Sequence, residues 1–247
     1  DPKLLPPRLL PVLYFAVAHV ALVLAFAAIA ADARAAAGFF YHARMLAIVH
    51  LVTLGWITSS ILGALYLVGP IAFRARFRVN WLDYTAFALV AIGVAGMVSH
   101  FWIAELRGMA WSTPMVAGGI LLAGARVLPA FLRSPVPRAV VAHVALAFVN
   151  IAGASTLGVL IAFDRVDGFL PGYILTNVFA HAHLAAVGWA AMMVVGVAYR
   201  LLPMVLPAAM PEGRRLWVTV ILLQTGATGL FVSLLFRSRW SWVAALT

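Results

Sequence analysis

The sequence predicts an all-α, polytopic transmembrane helix bundle of about seven spans, and three observations carry that expectation. Of its 247 residues, 65% belong to the AVILMFWYC set and only 10% are Asp, Glu, Lys or Arg. An ordinary soluble domain holds roughly 45–50% apolar and about 25% charged residues. The mean hydropathy is +1.06. The apolar residues fall into seven long runs separated by short basic stretches, and about 20 residues suffice for a spanning helix. The bilayer is the solvent of this chain.

The first run, 8–31, is long enough to span and is followed by further spans, so it does not read as a secretory signal. The second, 42–73, exceeds the hydrocarbon thickness and must tilt or project, with Gly69-Pro70 marking its inner end or a kink. Runs three and four, 81–104 and 112–132, carry Trp102 and Trp111 near their ends as interfacial residues. The fifth covers 139–163; the sixth, 172–206, is again long and has Pro203 near its inner end; the seventh covers 215–236. Trp240–Thr247, with Trp240 and Trp242, reads as the start of an eighth span, and a chain opening on Asp1 reads as a processed or partial product.

Charge supplies orientation. One side of the expected bundle holds Lys3, Arg8, Arg74, Arg76, Arg78, Arg126, Arg133, Arg138, Arg200, Arg214 and Arg215, and the other holds Arg34, Arg44, Arg107, Arg165, Arg237 and Arg239. Eleven against six places the amino terminus in the cytoplasm by the positive-inside rule. The net charge of +10 is spread through short loops such as ARFRVN (75–80) and PEGRR (211–215), which argues against nucleic acid as a partner and for membrane lipid. Absence of cysteine excludes disulfides, iron–sulfur clusters, zinc thiolates and covalently attached c-type haem.

An internal match is the most informative feature. From His50 the chain reads HLVTLGWITSSILGALYLVGP, and from His183 it reads HLAAVGWAAMMVVGVAYRLLP. His, Gly55/Gly188, Trp56/Trp189, Gly63/Gly196, Tyr66/Tyr199 and Pro70/Pro203 coincide. A weaker echo aligns His19-Val-Ala-Leu with His143-Val-Ala-Leu. Duplication of a four-helix unit explains the pattern, with units about 8–132 and 139–247 inside a single transmembrane domain, 1–247. At 100° per residue the Gly, Trp and Tyr positions lie opposite the histidine, on a seam suited to close helix packing.

Ionisable side chains at bilayer depth are functional candidates by default. Two matched imidazoles at one depth, with no thiolate or carboxylate beside them, suit axial ligation of a b-type haem in an apolar slot. The plain alternative for each is an interhelical hydrogen bond. His181 stands two residues before His183, on the other side of the same helix, and has Ile48 as its counterpart. It is a candidate ligand for a second haem, with Gly188 leaving room for a flat ring on that side. Among the remaining histidines His19 alone lies near that depth, while His42, His100 and His143 lie towards helix ends. Trp56 and Trp189 read as packing residues.

FAHAHLAAVGWAAMMVVGVAYRLLPM (179–204) resembles the His-x-His helix of heme-copper oxidase and nitric oxide reductase subunit I, and RMLAIVHLVTLGWITSSILGALYLVGP (44–70) resembles that family's second helix. The resemblance implies that His50 and His183 ligate a low-spin haem b, with His181 the proximal ligand of a second, high-spin haem. It also turns Arg44 and Arg107 towards haem propionates. The chain departs from the family in lacking a His-His pair, so no copper site is expected. No span interior carries Asp or Glu, which argues against proton-pumping oxygen reduction. Small haem-copper membrane proteins of nitric oxide stress offer a looser likeness.

These readings point to a b-type cytochrome of a bacterial-type inner membrane, an electron-transfer subunit of a respiratory-type complex. Its partners would be other membrane subunits and a cytochrome or extrinsic redox subunit on the outer face. Two alternatives stand beside it: a haem protein that binds or reduces nitric oxide or oxygen at His181, and a cofactor-free scaffold or transporter.

Overall fold

The computed structural model describes residues 5–236. These form seven helices long and apolar enough to cross a membrane: α1 Leu9–Ala31, α2 Ala43–Ala72, α3 Trp81–Trp102, α4 Leu106–Leu132, α5 Arg138–Asp167, α6 Ile174–Val205 and α7 Arg214–Leu235. A further helical turn, Ala33–Ala36, lies between α1 and α2, and no strand occurs among the described residues. The architecture is the all-α polytopic bundle that composition dictates. Lys3, Arg237, Arg239 and the segment Trp240–Thr247, with Trp240 and Trp242, lie outside the described residues.

Apolar run length locates α1, α2, α3, α6 and α7 to within two residues. It misplaces the start of α4 by six residues and the end of α5 by four, because a polar cap sets the first and a left-handed glycine the second. The Glu105 carboxylate accepts from the Arg107 N–H at 3.0 Å and from the Gly108 N–H, capping α4 ahead of its apolar stretch. Gly168, at φ 64°, closes α5 in the left-handed conformation that glycine adopts most readily. At the start of α3, Asn80 Oδ1 accepts from the Leu82 N–H at 2.9 Å, and the Asp83 carboxylate accepts from the Asn80 N–H at 2.8 Å.

Consecutive helices are neighbours, and α2 also meets α6 through its half Ser59–Ala72 against Met192–Val205. Helices α2 to α6 therefore close into a ring, with α1 packed outside on α2 and α7 outside on α5 and α6. We call the end bearing the α1–α2, α3–α4 and α5–α6 connections the Tyr41 end, and the opposite one the Asp83 end. At the Asp83 end a buried carboxylate ties three helices. Asp83 is 2% exposed, accepts from the Tyr66 hydroxyl at 2.7 Å, and pairs with Arg126 Nη2 at 3.1 Å. Arg200 Nε donates to the Ala72 carbonyl at 2.8 Å and joins α6 to α2.

Neither α2 nor α6 is α-helical throughout. Each contains eight residues of π-helix, Leu51–Thr58 and Leu184–Ala191, beginning immediately after His50 and His183. The two segments are 133 residues apart at both ends, the offset of the sequence match. A π turn bonds each N–H to the fifth preceding carbonyl, and such turns are frequent at functional sites. Side chains meet the loosened carbonyls, as they must where no water is at hand. The Thr58 hydroxyl donates to the Thr53 carbonyl at 2.9 Å, that of Ser59 to Leu54 at 3.2 Å, and Asn150 Nδ2 of α5 to Gly188 at 2.9 Å.

Contacts correspond along with sequence. A Cβ on Gly55 would meet Ala21 of α1, and one on Gly188 would meet Asn150 of α5 at 2.8 Å. One on Gly63 would meet Tyr14 at 3.0 Å, and one on Gly196 would meet His143. Tyr14 stacks on Tyr66 at 6.3 Å, and the His143 ring lies 5.5 Å from Tyr199. Helix α1 thus lies on α2 as α5 lies on α6, with Tyr14 in the place of His143. This corrects the weak echo that aligned His19 with His143. His19 is exposed, whereas His143 is fully buried.

Candidate functional site

Towards the Tyr41 end, helices α2 to α6 line a partly open cavity of about 530 Å³. Cofactor and ligand pockets run from roughly 300 to 1,000 Å³. Its wall is chiefly apolar, from Met97 and Phe101 of α3, Val116 and Ile120 of α4, and Ile151 and Ile161 of α5. Two imidazoles, His50 of α2 and His181 of α6, stand in that wall. At its deep side Trp189 is buried against Phe148, and its indole N–H donates to the Thr58 hydroxyl at 3.2 Å, bridging the two π segments.

The pairing differs from the sequence expectation. His50 shares the cavity with His181, and His183 is absent from its wall. Helix α2 lines it with Val49, Thr53 and Ile57, whose counterparts at the 133-residue offset, Ala182, Ala186 and Ala190, line it from α6. On α2 the stripe is flanked by His50, Leu54 and Thr58; on α6 it is flanked by His181, Ala185 and Trp189. Helices related by rotation around a ring present the same central stripe to the space inside but opposite flanks, so the flank that carries His50 on α2 corresponds on α6 to the flank turned away. His183, the match of His50, is therefore turned to the far flank of α6, partly exposed.

Gly188 is corrected for a related reason. Uniform 100° steps bring residue 188 beneath His181. The wider π turn delays the phase, so the wall repeats every four residues, as 181, 185 and 189. Trp189 therefore lies beneath His181, and Gly188 faces Asn150 of α5. Trp189, expected only to pack, both packs and bounds the cavity.

The ring nitrogens are committed in a consistent way. His50 Nδ1 donates to the Leu46 carbonyl at 2.7 Å and its ring stacks on Phe101 at 5.3 Å. His181 Nδ1 donates across to the Ala154 carbonyl of α5 at 2.8 Å. Nε2 is then the nitrogen left to each for a partner, an arrangement that fixes tautomer and ring direction as in metal-ligating histidines. Both residues lie seven residues past the start of their helices, about 10 Å along each axis. His183 Nδ1 donates to Phe179 at 2.8 Å and His19 Nδ1 to Phe15 at 2.7 Å, both away from the cavity. His42 caps α2, and His100 Nε2 approaches Glu105 at 3.9 Å.

Neither arginine singled out in the sequence reaches the wall. Arg44 pairs with Asp32 at 2.5 Å and lies over the Trp102 ring at 5.4 Å. Arg107 is exposed in the first turn of α4. The cation that does line the cavity is Arg165, beside Tyr41. Its guanidinium stacks over the Tyr41 ring at 4.7 Å, and both Arg165 Nη1 and the Tyr41 hydroxyl are buried without a hydrogen-bond partner. In the sequence Arg165 was only one charge of the topology count. It lies in the last turn of α5, beyond the apolar run 139–163, and nothing in the sequence set it apart from the other basic residues at helix ends.

The chain matches no family model, no curated protein and no solved structure. The chemistry open to the site follows from its walls: a chiefly apolar ligand, held by one or two imidazoles, with a guanidinium and a phenol at the Tyr41 end.

Proposed function

We propose that this seven-span membrane protein is a b-type cytochrome, with haem b held in the α2–α6 cavity by His50 and His181. What supports this reading is one arrangement: two imidazoles on the wall of a single apolar cavity of about 530 Å³, each with Nδ1 bound to a backbone carbonyl and Nε2 remaining. The residues fit the group, because the walls are apolar where a macrocycle would lie and the nitrogens are neutral donors. Haem would supply one-electron exchange; the protein's part is to present the ligands, exclude water and set the surrounding polarity.

The wider role, an electron-transfer subunit of a respiratory-type complex in a bacterial-type inner membrane, rests on the resemblance of 44–70 and 179–204 to heme-copper oxidase subunit I. Positive charge at the Asp83 end favours an outer position for the cavity's Tyr41 end, where a cytochrome or extrinsic redox subunit would exchange electrons. A second reading, a second haem on the far flank of α6, is favoured by His183. Its Nδ1 is likewise committed and its Nε2 remains.

A reduced-minus-oxidised spectrum of purified protein tests the reading. We expect a low-spin b-type signal, lost in His50→Ala and His181→Ala and kept in His183→Ala. A protein with no such signal is the cofactor-free scaffold or transporter. A low-spin signal lost in His183→Ala and kept in His181→Ala returns the pairing to the one implied by the resemblance. A carbon monoxide shift in the wild type supports gas binding.

A further inference from the structure

We infer that Arg165 and Tyr41 form a carboxylate-binding subsite at the Tyr41 end of the cavity, which holds the acidic groups of the haem. This rests on the haem reading above. The observations that carry it concern unsatisfied groups. Arg165 Nη1 and the Tyr41 hydroxyl are both buried, both lack a hydrogen-bond partner, and both belong to residues of the cavity wall. A buried donor without a partner is costly, more so when it is charged. The two donors belong to residues in ring contact, and a single acceptor group within reach of both would satisfy them.

The pair is also held ready. The guanidinium stacks on the Tyr41 ring at 4.7 Å, which limits its motion before any ligand arrives. A carboxylate has only acceptor atoms, so it can take a guanidinium N–H and a phenol O–H at once. The rest of the wall is chiefly apolar: besides Ser155, its hydroxyls are those of Thr53, Thr58 and Thr113, which donate to backbone carbonyls of their own helices, and His50 and His181 stand deeper in. The complementary ligand is a flat apolar body acidic along one edge. Haem b meets that description, its two propionates lying on one side of the macrocycle. Arg44 and Arg107, the sequence candidates, do not line the cavity.

The test titrates full-length apoprotein in lipid nanodiscs with haem b and with its dimethyl ester, which lacks the two carboxylates. Wild-type protein should bind haem at least roughly tenfold more tightly than the ester, the span of one hydrogen bond to a charged group. Arg165→Gln should bind the two porphyrins alike, Tyr41→Phe should lose part of the preference, and Arg165→Lys should retain part. Equal affinity of the wild type for haem and its ester overturns the inference and leaves the haem reading standing. So does a preference that survives intact in Arg165→Gln. Failure of the wild type to bind either porphyrin sinks the haem reading and the subsite together. The comparison of two ligands on the wild type needs no variant to fold.

Discussion

His181 differs from the other buried histidines in what holds its ring. His50 and His143 donate Nδ1 to the carbonyl four residues back on their own helices, whereas His181 donates to Ala154 of the neighbouring α5. That reach exists because residue 158 is glycine: a Cβ there would lie 2.9 Å from His181 Cε1 and 3.2 Å from Nδ1. Gly158→Ala should therefore push the imidazole off Ala154, at a cost of about 1–3 kcal/mol for overpacking. On the proposed function it should also remove or shift the low-spin signal while the protein still inserts. Spectra at matched protein yield check this, and an unchanged spectrum would show that His181 is not a ligand. The His-x-His spacing was legible in the sequence because histidine is rare in hydrocarbon. Gly158 and Arg165 were not, because their roles depend on which helix lies across from them.

At the scale of elements, the two π segments explain both what the sequence match offered and where it misled. The match marked the segments correctly, since conformation repeats at the same offset. It placed Gly55, Gly63, Gly196, Tyr66 and Tyr199 on a packing seam as found, but set Gly188 and not Trp189 beneath His181, since a constant 100° step does not hold through a π turn. The widened turn of α6 is held by a polar cluster in which Asn150 Nδ2 donates to Gly188 at 2.9 Å and also to Gln224 Oε1 at 2.9 Å. Gln224 Nε2 returns a bond to Asn150 Oδ1 at 3.1 Å. Interhelical hydrogen bonds in membranes average about 0.6 kcal/mol, so Asn150→Leu should cost about 1–2 kcal/mol. Asn150→Leu with Gln224→Leu should cost less than the sum, read from unfolding in mixed detergent micelles, because the pair acts as a unit. The Asp83 clamp predicts a larger effect. Asp83→Ala strands Arg126 and frees the Tyr66 hydroxyl, at about 2–4 kcal/mol. The side chain of Arg126 is 27% exposed, which puts the value towards the lower end. Asp83→Leu with Arg126→Leu should recover part of it in the same unfolding measurement.

At the scale of the whole molecule, fold class and span order were legible because they are sums over many residues: apolar content, run length and the count of basic side chains. Ring closure was not legible. It depends on a single long-range meeting of α2 with α6, carried by contacts such as Trp189–Thr58 and Arg200–Ala72 that no periodicity announces. Orientation joins the two kinds of information, since the positive-inside rule predicts from the charge count which end faces the cytoplasm and the structure says which end holds Arg165 and Tyr41. Several basic residues of the Asp83 end are engaged internally, Arg126 with Asp83 and Arg200 with Ala72, yet the excess over the Tyr41 end survives their removal. The chain contains no cysteine, so single cysteines report sidedness directly. Phe169 lies exposed in the α5–α6 connection and Ala208 in the α6–α7 connection, at opposite ends. In intact cells a membrane-impermeant maleimide should label Phe169→Cys, and it should reach Ala208→Cys only after lysis. The reverse pattern would turn the Arg165–Tyr41 end to the cytoplasm, against the positive-inside count, and the redox partner would then be sought on that side.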